Sequence, residues 1–335
     1  MNTILEVKEK VLSRSDEYEF LNNQKLGDII VLGLGGSHAY GTSIETSDVD
    51  VRGFAFRPVR SILTDYNFED FVDVTTDTTI YSLEKMMDLL AACNPNTIEI
   101  IGMRPQDYFI MTETGRKIID NKDLYLSKQC IKTFGGYATS QLYCLQQKTL
   151  TALSPEDFNG HIVKVINNMS DHLQKSWGIS GVHIHDKKDG LYVDIDQMHD
   201  ISIDAFYGLN NEIGNVIREY NKNSVRNKKA ITHRKINKHA MHLLRLYMMG
   251  IDILVSHEVS TYRVKEHDLL MDVRNGKYSG EDGLMNQGFF DLLKEYESKF
   301  EEAQKITTLP DNPDRAAIKD LLYELNKTYI MDNIK

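Results

Sequence analysis

Residues 31–56 read VLGLGGSHAYGTSIETSDVDVRGFAF and hold the most informative pattern in the chain. An apolar run ends in a glycine turn with Gly36 and Ser37, a polar loop follows, and Asp48 and Asp50 open a second apolar run. Side chains at i and i+2 of a strand share a face, so the pattern predicts that the two aspartates lie side by side, about 7 Å apart along the strand. Carboxylates held this close favour a cation between them, and a pair of Mg²⁺ ions serves phosphoryl transfer in this way.

Composition and charge exclude several classes of protein. The 335 residues carry 39 Lys and Arg against 49 Asp and Glu, a net charge of −10, which argues against a protein that coats long stretches of nucleic acid but leaves room for a small basic pocket. No apolar run is long enough to cross a bilayer, and the N-terminal segment MNTILEVKEKVLSRSDEYEF is too charged for a signal peptide. Sparse cysteines fit a reducing compartment. We therefore expect a cytoplasmic protein with no membrane partner.

The order of the predicted elements indicates an α+β fold. Strands are predicted at 28–34, 49–56 and 72–81, and Ser82 then caps a helix, SLEKMMDLLAAC. Strands followed by helices are typical of α+β domains rather than of repeated βαβ units. Beyond residue 125 the apolar periodicity predicts helices at 126–148, 154–177, 202–222, 232–255, 263–275, 288–303 and 313–330, interrupted by a hairpin near 178–200. The predicted domains are therefore 1–125 and a helical domain, 126–335, that completes the cleft.

The glycine turn and the aspartate pair together favour nucleotidyl transfer. Glycines let backbone N–H groups approach phosphate oxygens, and Ser37 adds a hydroxyl. Gly-Gly-Ser and Asp-x-Asp are each common, but here they follow each other in order, with 12 residues from Gly36 to Asp48 and an apolar strand on both sides. This combination supplies a cradle for a triphosphate and carboxylates for two metal ions.

The stretch GGSHAYGTSIETSDVDVRG resembles the signature of the polymerase-β-like nucleotidyltransferase superfamily, a GS motif followed by D-x-D. More narrowly, it is similar to the RNA-ligase-associated predicted nucleotidyltransferases assigned to RNA repair. Further similarity lies in SLEKMMDLLAACNPNTIEIIG, TFGGYATSQL and NKHAMHLLRLYMMGIDIL, so that the resemblance covers roughly residues 25–280. It implies a small mixed-sheet nucleotidyltransferase domain before a mostly helical domain, an NTP such as ATP as substrate, and Mg²⁺, with Mn²⁺ as the alternative. Asp48 and Asp50 would be catalytic metal ligands, and Gly36 and Ser37 would bind the nucleotide.

The family pattern also calls for a third carboxylate on a following strand. Asp77, in the segment TTDTT, is the expected residue, as a catalytic group and a metal ligand. Asp73 shares its strand parity and is the alternative. Asp77 could also act as a base toward an acceptor hydroxyl, whereas the ordinary interpretation is an exposed strand aspartate.

Four basic residues are candidates for nucleotide binding. Arg52 shares the predicted face of the aspartate pair and either pairs with it or reaches a phosphate. Lys238, His242 and Arg245 are spaced i, i+4 and i+7, so they line one helix face beside an apolar stripe. With the resemblance, this favours a helix that directs cations into a cleft, where they hold the triphosphate tail or an RNA end. The alternative is ordinary solvent-exposed charge.

Two further residues receive no catalytic assignment. Tyr40 follows the cradle and is expected to be a packed surface tyrosine rather than a base-stacking residue. Glu99 lies among isoleucines, and a surface glutamate is favoured over a role near the site, although burying it unpaired would be costly.

The leading functional hypothesis is transfer of NMP from an NTP to a hydroxyl at an RNA or tRNA end. An alternative keeps the chemistry but uses a protein or small-molecule acceptor, as in AMPylation, and the acidic net charge mildly favours it. A third hypothesis is a nucleotide-binding regulator without turnover. Clustered carboxylates argue against the third, because a binder does not need them.

Overall fold

A computed structural model describes residues 3–23, 26–64, 69–136, 182–187, 190–195, 235–280 and 284–334, together with residues 138, 142, 170, 174, 202, 206, 209, 210, 213 and 214. The chain divides into two compact units. The first combines residues 1–140, 241–278 and 287–335, and the second combines residues 141–240 and 279–286. The predicted domain boundary at residues 125 and 126 stays a prediction.

A five-stranded sheet forms the centre of the first unit. Its strands are β1 (Ile29–Leu34), β2 (Val51–Ala55), β3 (Asp70–Asp73), β4 (Thr78–Ser82) and β5 (Tyr108–Met111), in the order β3-β4-β2-β1-β5. The strands β2 and β4 are parallel, and the other neighbouring pairs are antiparallel. Every residue of β1 is buried, which explains its continuous apolar sequence, since both faces of this strand are covered. The sheet is therefore mixed, and the α+β class is confirmed.

The strand registers bring three strand ends to one edge of the sheet. Leu34, the last residue of β1, pairs with Val51, the first residue of β2. Val51 in turn pairs with Thr78, the first residue of β4. The residues that follow β1 and precede β2 and β4 must consequently lie next to one another.

Two details of the predicted strands are wrong. The segment 72–81 is not one strand but a hairpin, in which residues 74–77 form the turn between β3 and β4. The segment 74–77 reads VTTD. Its Val and Thr residues favour a strand, so its composition did not reveal the turn that it forms. Asp48 and Asp50 lie in the loop before β2, so strand parity does not place them side by side.

Helices cover the sheet and make up most of the C-terminal region. In chain order they are α1 (Ile4–Ser13), α2 (Gly36–Tyr40), α3 (Val59–Ile62), α4 (Leu83–Ala91), α5 (Glu113–Asp120), α6 (Lys235–Ser256), α7 (His267–Arg274), α8 (Gln287–Ile306) and α9 (Arg315–Asn333). The hydroxyl of Ser82 accepts a hydrogen bond from the Lys85 backbone N–H and caps α4, as predicted. Helices α6 to α9 confirm the four predicted helices from residue 232 onward.

The last helix belongs to the sheet unit although it lies far away in sequence. The ring of Tyr329 in α9 stacks on Phe56 with 4.0 Å between ring centroids, and its hydroxyl accepts a hydrogen bond from the Asp28 backbone N–H. Asn326 donates to the Glu84 carboxylate on α4. The C-terminal helix thus closes over the β2 and α4 side of the first unit.

Less of the second unit is described. Strands β6 (Val182–Lys187) and β7 (Gly190–Ile195) pair as an antiparallel hairpin within the segment predicted to form one. Most of the predicted helices 154–177 and 202–222 lies outside the described residues. Of the predicted helix 126–148, residues 129–136 are helical and belong to the first unit. Among the helices that the structure describes, none combines the length and hydropathy needed to cross a bilayer.

We predict that Gly53→Ala lowers the free energy of unfolding by about 1–3 kcal/mol, the usual cost of overpacking. A Cβ at Gly53 would overlap the Val31 carbonyl oxygen and lie 2.7 Å from Leu32 Cδ1 on the neighbouring strand. Chemical denaturation measures the change. Gly136→Ala is the control: its added methyl group meets no atom of the described residues within 4 Å, and the helical site should gain up to about 1 kcal/mol. Equal effects of the two substitutions would contradict the packing argument.

Candidate active site

Main-chain hydrogen bonds join the glycine turn to the two loops that carry aspartates. The Gly35 N–H donates to the Asp50 carbonyl over 2.9 Å, and the Val51 N–H donates to the Asp77 carbonyl over 3.0 Å. The turn after β1, the loop before β2 and the turn before β4 are therefore fixed to one another. The structure thus brings together the predicted cradle and two of the three predicted carboxylates.

The close approach of the turn to Asp50 requires glycine. Gly36 has a φ of +55°, and a Cβ there would overlap Asp50 Oδ2. A Cβ on Gly35 would lie 2.7 Å from Arg52 Cγ. The backbone can reach the carboxylate only because both side chains are absent. Ser37 follows in α2 and is largely buried, with 8% of its surface exposed.

Arg52 lies between two of the predicted carboxylates. Its Nη2 is 3.1 Å from Asp50 Oδ1 and 3.2 Å from Asp77 Oδ1, and its Nη1 donates to the Asp77 carbonyl over 2.7 Å. The carboxylates of Asp50 and Asp77 are therefore already arranged around a cationic group. Two roles were predicted for Arg52. The structure shows the pairing with aspartates, and the contact with a phosphate stays a prediction.

Asp48 differs from Asp50 in its surroundings. Its side chain is exposed and makes no hydrogen bond or ion pair with any described residue. Asp48 and Asp77 both line a cavity of about 600 Å³, whose other lining residues are Val7, Glu17, Tyr18, Ser47, Val49, Val72, Val74, Thr75 and Thr76. Within the described ranges, no three His, Cys, Asp or Glu side chains are grouped so that they could hold a metal ion.

The hairpin turn distinguishes the two candidates for the third carboxylate. The Asp73 carboxylate accepts hydrogen bonds from the Thr75 hydroxyl over 2.6 Å and from the Thr76 N–H over 2.8 Å. Slight burial opposes the change, but these hydrogen bonds hold the pKa of Asp73 below its usual value. Asp73 therefore stabilises the turn, whereas Asp77 is the residue next to Asp50.

Arg245 of the predicted basic helix face lies in the protein interior. Only 1% of its side chain is exposed, and its Nη1 donates to Glu99 Oε2 over 3.1 Å. His242 Nδ1 lies 3.3 Å from Arg245 Nη2. Lys238 is exposed and belongs to the second compact unit. The nucleotide-binding roles of these three residues stay predictions, and the immediate partner of Arg245 is a carboxylate of the protein itself.

Glu99 and Tyr40 are buried, so the expectation that both lie on the surface is wrong. The Tyr40 hydroxyl donates to Glu99 Oε1 over 2.7 Å, and the Arg245 guanidinium lies 3.6 Å from the centroid of the Tyr40 ring. Burial raises the pKa of Glu99 and of Tyr40, and the charge of Arg245 opposes both shifts. Tyr40 is the last residue of α2, so this network anchors the helix that begins with the cradle. The sequence signal was a carboxylate within an isoleucine run.

A second contact region holds the loop between the cradle and Asp48. Gly41 has a φ of +73°, and a Cβ there would overlap the ring of Tyr262. His267 Nε2 lies 2.8 Å from the Gly41 carbonyl oxygen, and Arg274 Nη2 donates to Ser47 Oγ over 3.3 Å. Helix α7 and the residues before it therefore fix both ends of this loop. Nothing in the local sequence predicts contacts across more than 220 residues.

We predict that Arg245→Met lowers the free energy of unfolding by about 3–5 kcal/mol, because it leaves the Glu99 carboxylate buried without its counter-charge. The double variant Glu99→Gln/Arg245→Met removes both charges and keeps an acceptor for the Tyr40 hydroxyl, so it should be the more stable of the two. Denaturant unfolding of both variants measures the difference. If the double variant is as unstable as the single one, the loss comes from packing and not from charge.

Comparison with known proteins agrees with this geometry. Residues 9–164 match the family model described as the RNA repair pathway DNA polymerase beta family. No curated protein and no solved structure matches the chain. The matched segment contains the glycine turn, the three candidate aspartates and Glu99, and the predicted family is thereby confirmed. Residues 9–164 are therefore similar to the RNA repair pathway DNA polymerase beta family, in agreement with the resemblance predicted from the sequence.

Proposed function

We propose that this protein transfers a nucleoside monophosphate from an NTP to a hydroxyl at an RNA end. The observation that carries the proposal is the convergence of the Gly35–Ser37 turn, Asp50 and Asp77 at one edge of the sheet, held by main-chain hydrogen bonds. A phosphate cradle and two carboxylates within one hydrogen-bonded frame suit a reaction at phosphorus. The family match supplies the nucleotidyltransferase class and the RNA repair setting.

The carboxylates fit a divalent cation by their chemistry. Mg²⁺ prefers carboxylate oxygens, and Asp48 has no competing partner among the described residues. Asp50 is held against the backbone of Gly36, where a side chain would otherwise stand. We therefore propose that Asp48 and Asp50 hold Mg²⁺ or Mn²⁺, with Asp77 contributing when Arg52 releases its carboxylate. The ion would stabilise negative charge on the phosphate oxygens.

The remaining roles follow from the positions of the protein groups. The backbone N–H groups at Gly36 and Ser37 would bind phosphate oxygens, and Arg52 would offset charge near the reacting phosphate. The acceptor oxygen bonds to the α-phosphorus, the bond from the α-phosphorus to the bridging oxygen breaks, and pyrophosphate leaves. Asp77, with 54% of its side chain exposed beside the cavity, would take the acceptor's proton.

One observation favours the alternative acceptor, a hydroxyl of a protein or a small molecule. The cavity beside Asp48 and Asp77 has three carboxylates in its lining, including that of Glu17, and no Lys, Arg or His among its described lining residues. Such a lining repels phosphates and suits a neutral or cationic acceptor. The acceptor therefore has to be identified by experiment.

The proposal predicts where a labelled nucleotide goes. Incubation of the protein with Mg²⁺, each α-³²P-labelled NTP and a mixture of RNA and protein should place label on RNA, because the family match concerns RNA repair. Denaturing gels of RNase-treated and protease-treated samples locate the label. If the label survives RNase and disappears with protease, the acceptor is a protein and the proposal of an RNA acceptor is contradicted. Nucleotide binding without any transfer would leave only the regulatory hypothesis.

We predict that Asp48→Asn and Asp50→Asn each abolish transfer, and that Asp77→Asn lowers kcat by at least about a hundredfold, the typical contribution of a general base. Asp73→Asn is the matched control on the same turn: it should leave kcat within about threefold, since Asp73 only hydrogen-bonds Thr75 and Thr76. Single-turnover kinetics with labelled NTP measure the rates. If Asp73→Asn lowers kcat more than Asp77→Asn does, Asp73 and not Asp77 is the third carboxylate.

A further inference from the structure

Arg274 is a buried cation for which the described part of the chain supplies no anionic partner. It is the last residue of α7, and 7% of its surface is exposed. Its Nη2 donates to Ser47 Oγ, whereas its Nε and Nη1 are buried and have no hydrogen-bond partner in the described part of the chain. Burial lowers the pKa of the Arg274 guanidinium, and no nearby carboxylate offsets the shift.

In two other buried arginines of this protein, carboxylates balance the charge of the guanidinium group. Arg245 is paired with Glu99, and Arg263 is paired with both Asp252 and Glu266. These carboxylates supply the opposite charge that a buried guanidinium needs. Arg274 is buried to a similar extent, but its hydrogen bond among the described residues is to a neutral hydroxyl, so no described carboxylate compensates its charge.

The position of Arg274 connects it with the candidate active site. Ser47, its hydrogen-bond partner, directly precedes Asp48 and lines the same cavity. The Ser47 carbonyl oxygen also lies 3.4 Å from His38 Nε2 of α2. The loop between the cradle and Asp48 holds a second buried group without a partner among the described residues, the Thr42 hydroxyl. Buried polar groups without a described partner therefore occur within this loop and on the helix that contacts it.

We propose that Arg274 binds a phosphate group of the polyphosphate tail of the nucleotide. The inference rests on the proposed function for its choice of anion. A phosphate supplies the negative charge and the acceptor oxygens that the two unpartnered guanidinium nitrogens lack. Because both nitrogens are buried, binding of the anion requires a local movement that opens a path to them. Arg274 lies outside the family-matched segment and outside the basic helix face that the sequence singled out.

Binding of inorganic tripolyphosphate, measured by calorimetry without turnover, tests the proposal. Arg274→Met should raise the Kd for tripolyphosphate by at least about tenfold, because it removes charge-assisted hydrogen bonds. Arg274→Lys should retain part of the affinity. The Tm of unliganded Arg274→Met should be unchanged or higher, because the substitution removes an uncompensated buried charge. Arg263→Met is the matched control: it breaks a compensated buried pair, so its Tm should fall while its affinity for tripolyphosphate stays within about twofold.

Kd values are measured below the Tm of every variant. An unchanged Kd for Arg274→Met overturns the inference, whatever its Tm. A 5′-hydroxyl oligoribonucleotide distinguishes the source of the phosphate: if Arg274→Met weakens binding of the oligonucleotide but not of tripolyphosphate, the contact is to an RNA backbone and the assignment to the tail fails. Because tripolyphosphate binding needs no acceptor, failed nucleotidyl transfer by the wild type would count against the proposed function alone.

Discussion

The approach of the Gly35-Gly36 backbone to the Asp50 side chain constrains the whole candidate site. It requires that β1 and β2 end in register, that two consecutive residues lack side chains, and that one of them adopts a left-handed conformation. The parallel pairing of β2 with β4 then fixes Asp77 beside Asp50 through the Val51 N–H. The relative positions of cradle and carboxylates are thus set by main-chain hydrogen bonds. Such a frame is more rigid than side-chain contacts and suits a site that must hold charged groups at short range.

Local sequence was sufficient to predict the strand, turn and helix cap that form the candidate site. It was not sufficient to predict the contacts that hold these elements together. The apolar run of β1, the glycine turn and the Ser82 cap are local signals, and each is present in the structure. The single strand predicted over 72–81 failed because Asp73 and the threonines after it form hydrogen bonds that close a turn, and turn and strand use similar residues here. The prediction that Asp48 and Asp50 share one face of a strand failed because β2 begins only at Val51. Their proximity to the cradle comes instead from register.

The contacts that the sequence did not reveal are long-range and buried. Spacing along α6 correctly placed His242 and Arg245 on one face, but spacing carries no information about what that face meets. It meets a glutamate 146 residues earlier, which itself accepts a hydrogen bond from the tyrosine at the end of α2. A glutamate is costly to bury alone, so the burial of Glu99 that the structure shows requires a partner for its carboxylate. Only the fold identifies that partner as Arg245.

The stacking of Phe56 on Tyr329 has a consequence for the order in which the sheet unit folds. Phe56, which directly follows β2, is covered by a tyrosine of α9 that lies 273 positions later in the chain. Contacts of such long sequence separation form late and slow folding. We therefore expect the pairing of β1 with β2, which positions the candidate carboxylate Asp50, to form before α9 packs. Until α9 packs against it, the ring of Phe56 lacks its cover, and apolar surface left open during folding favours aggregation.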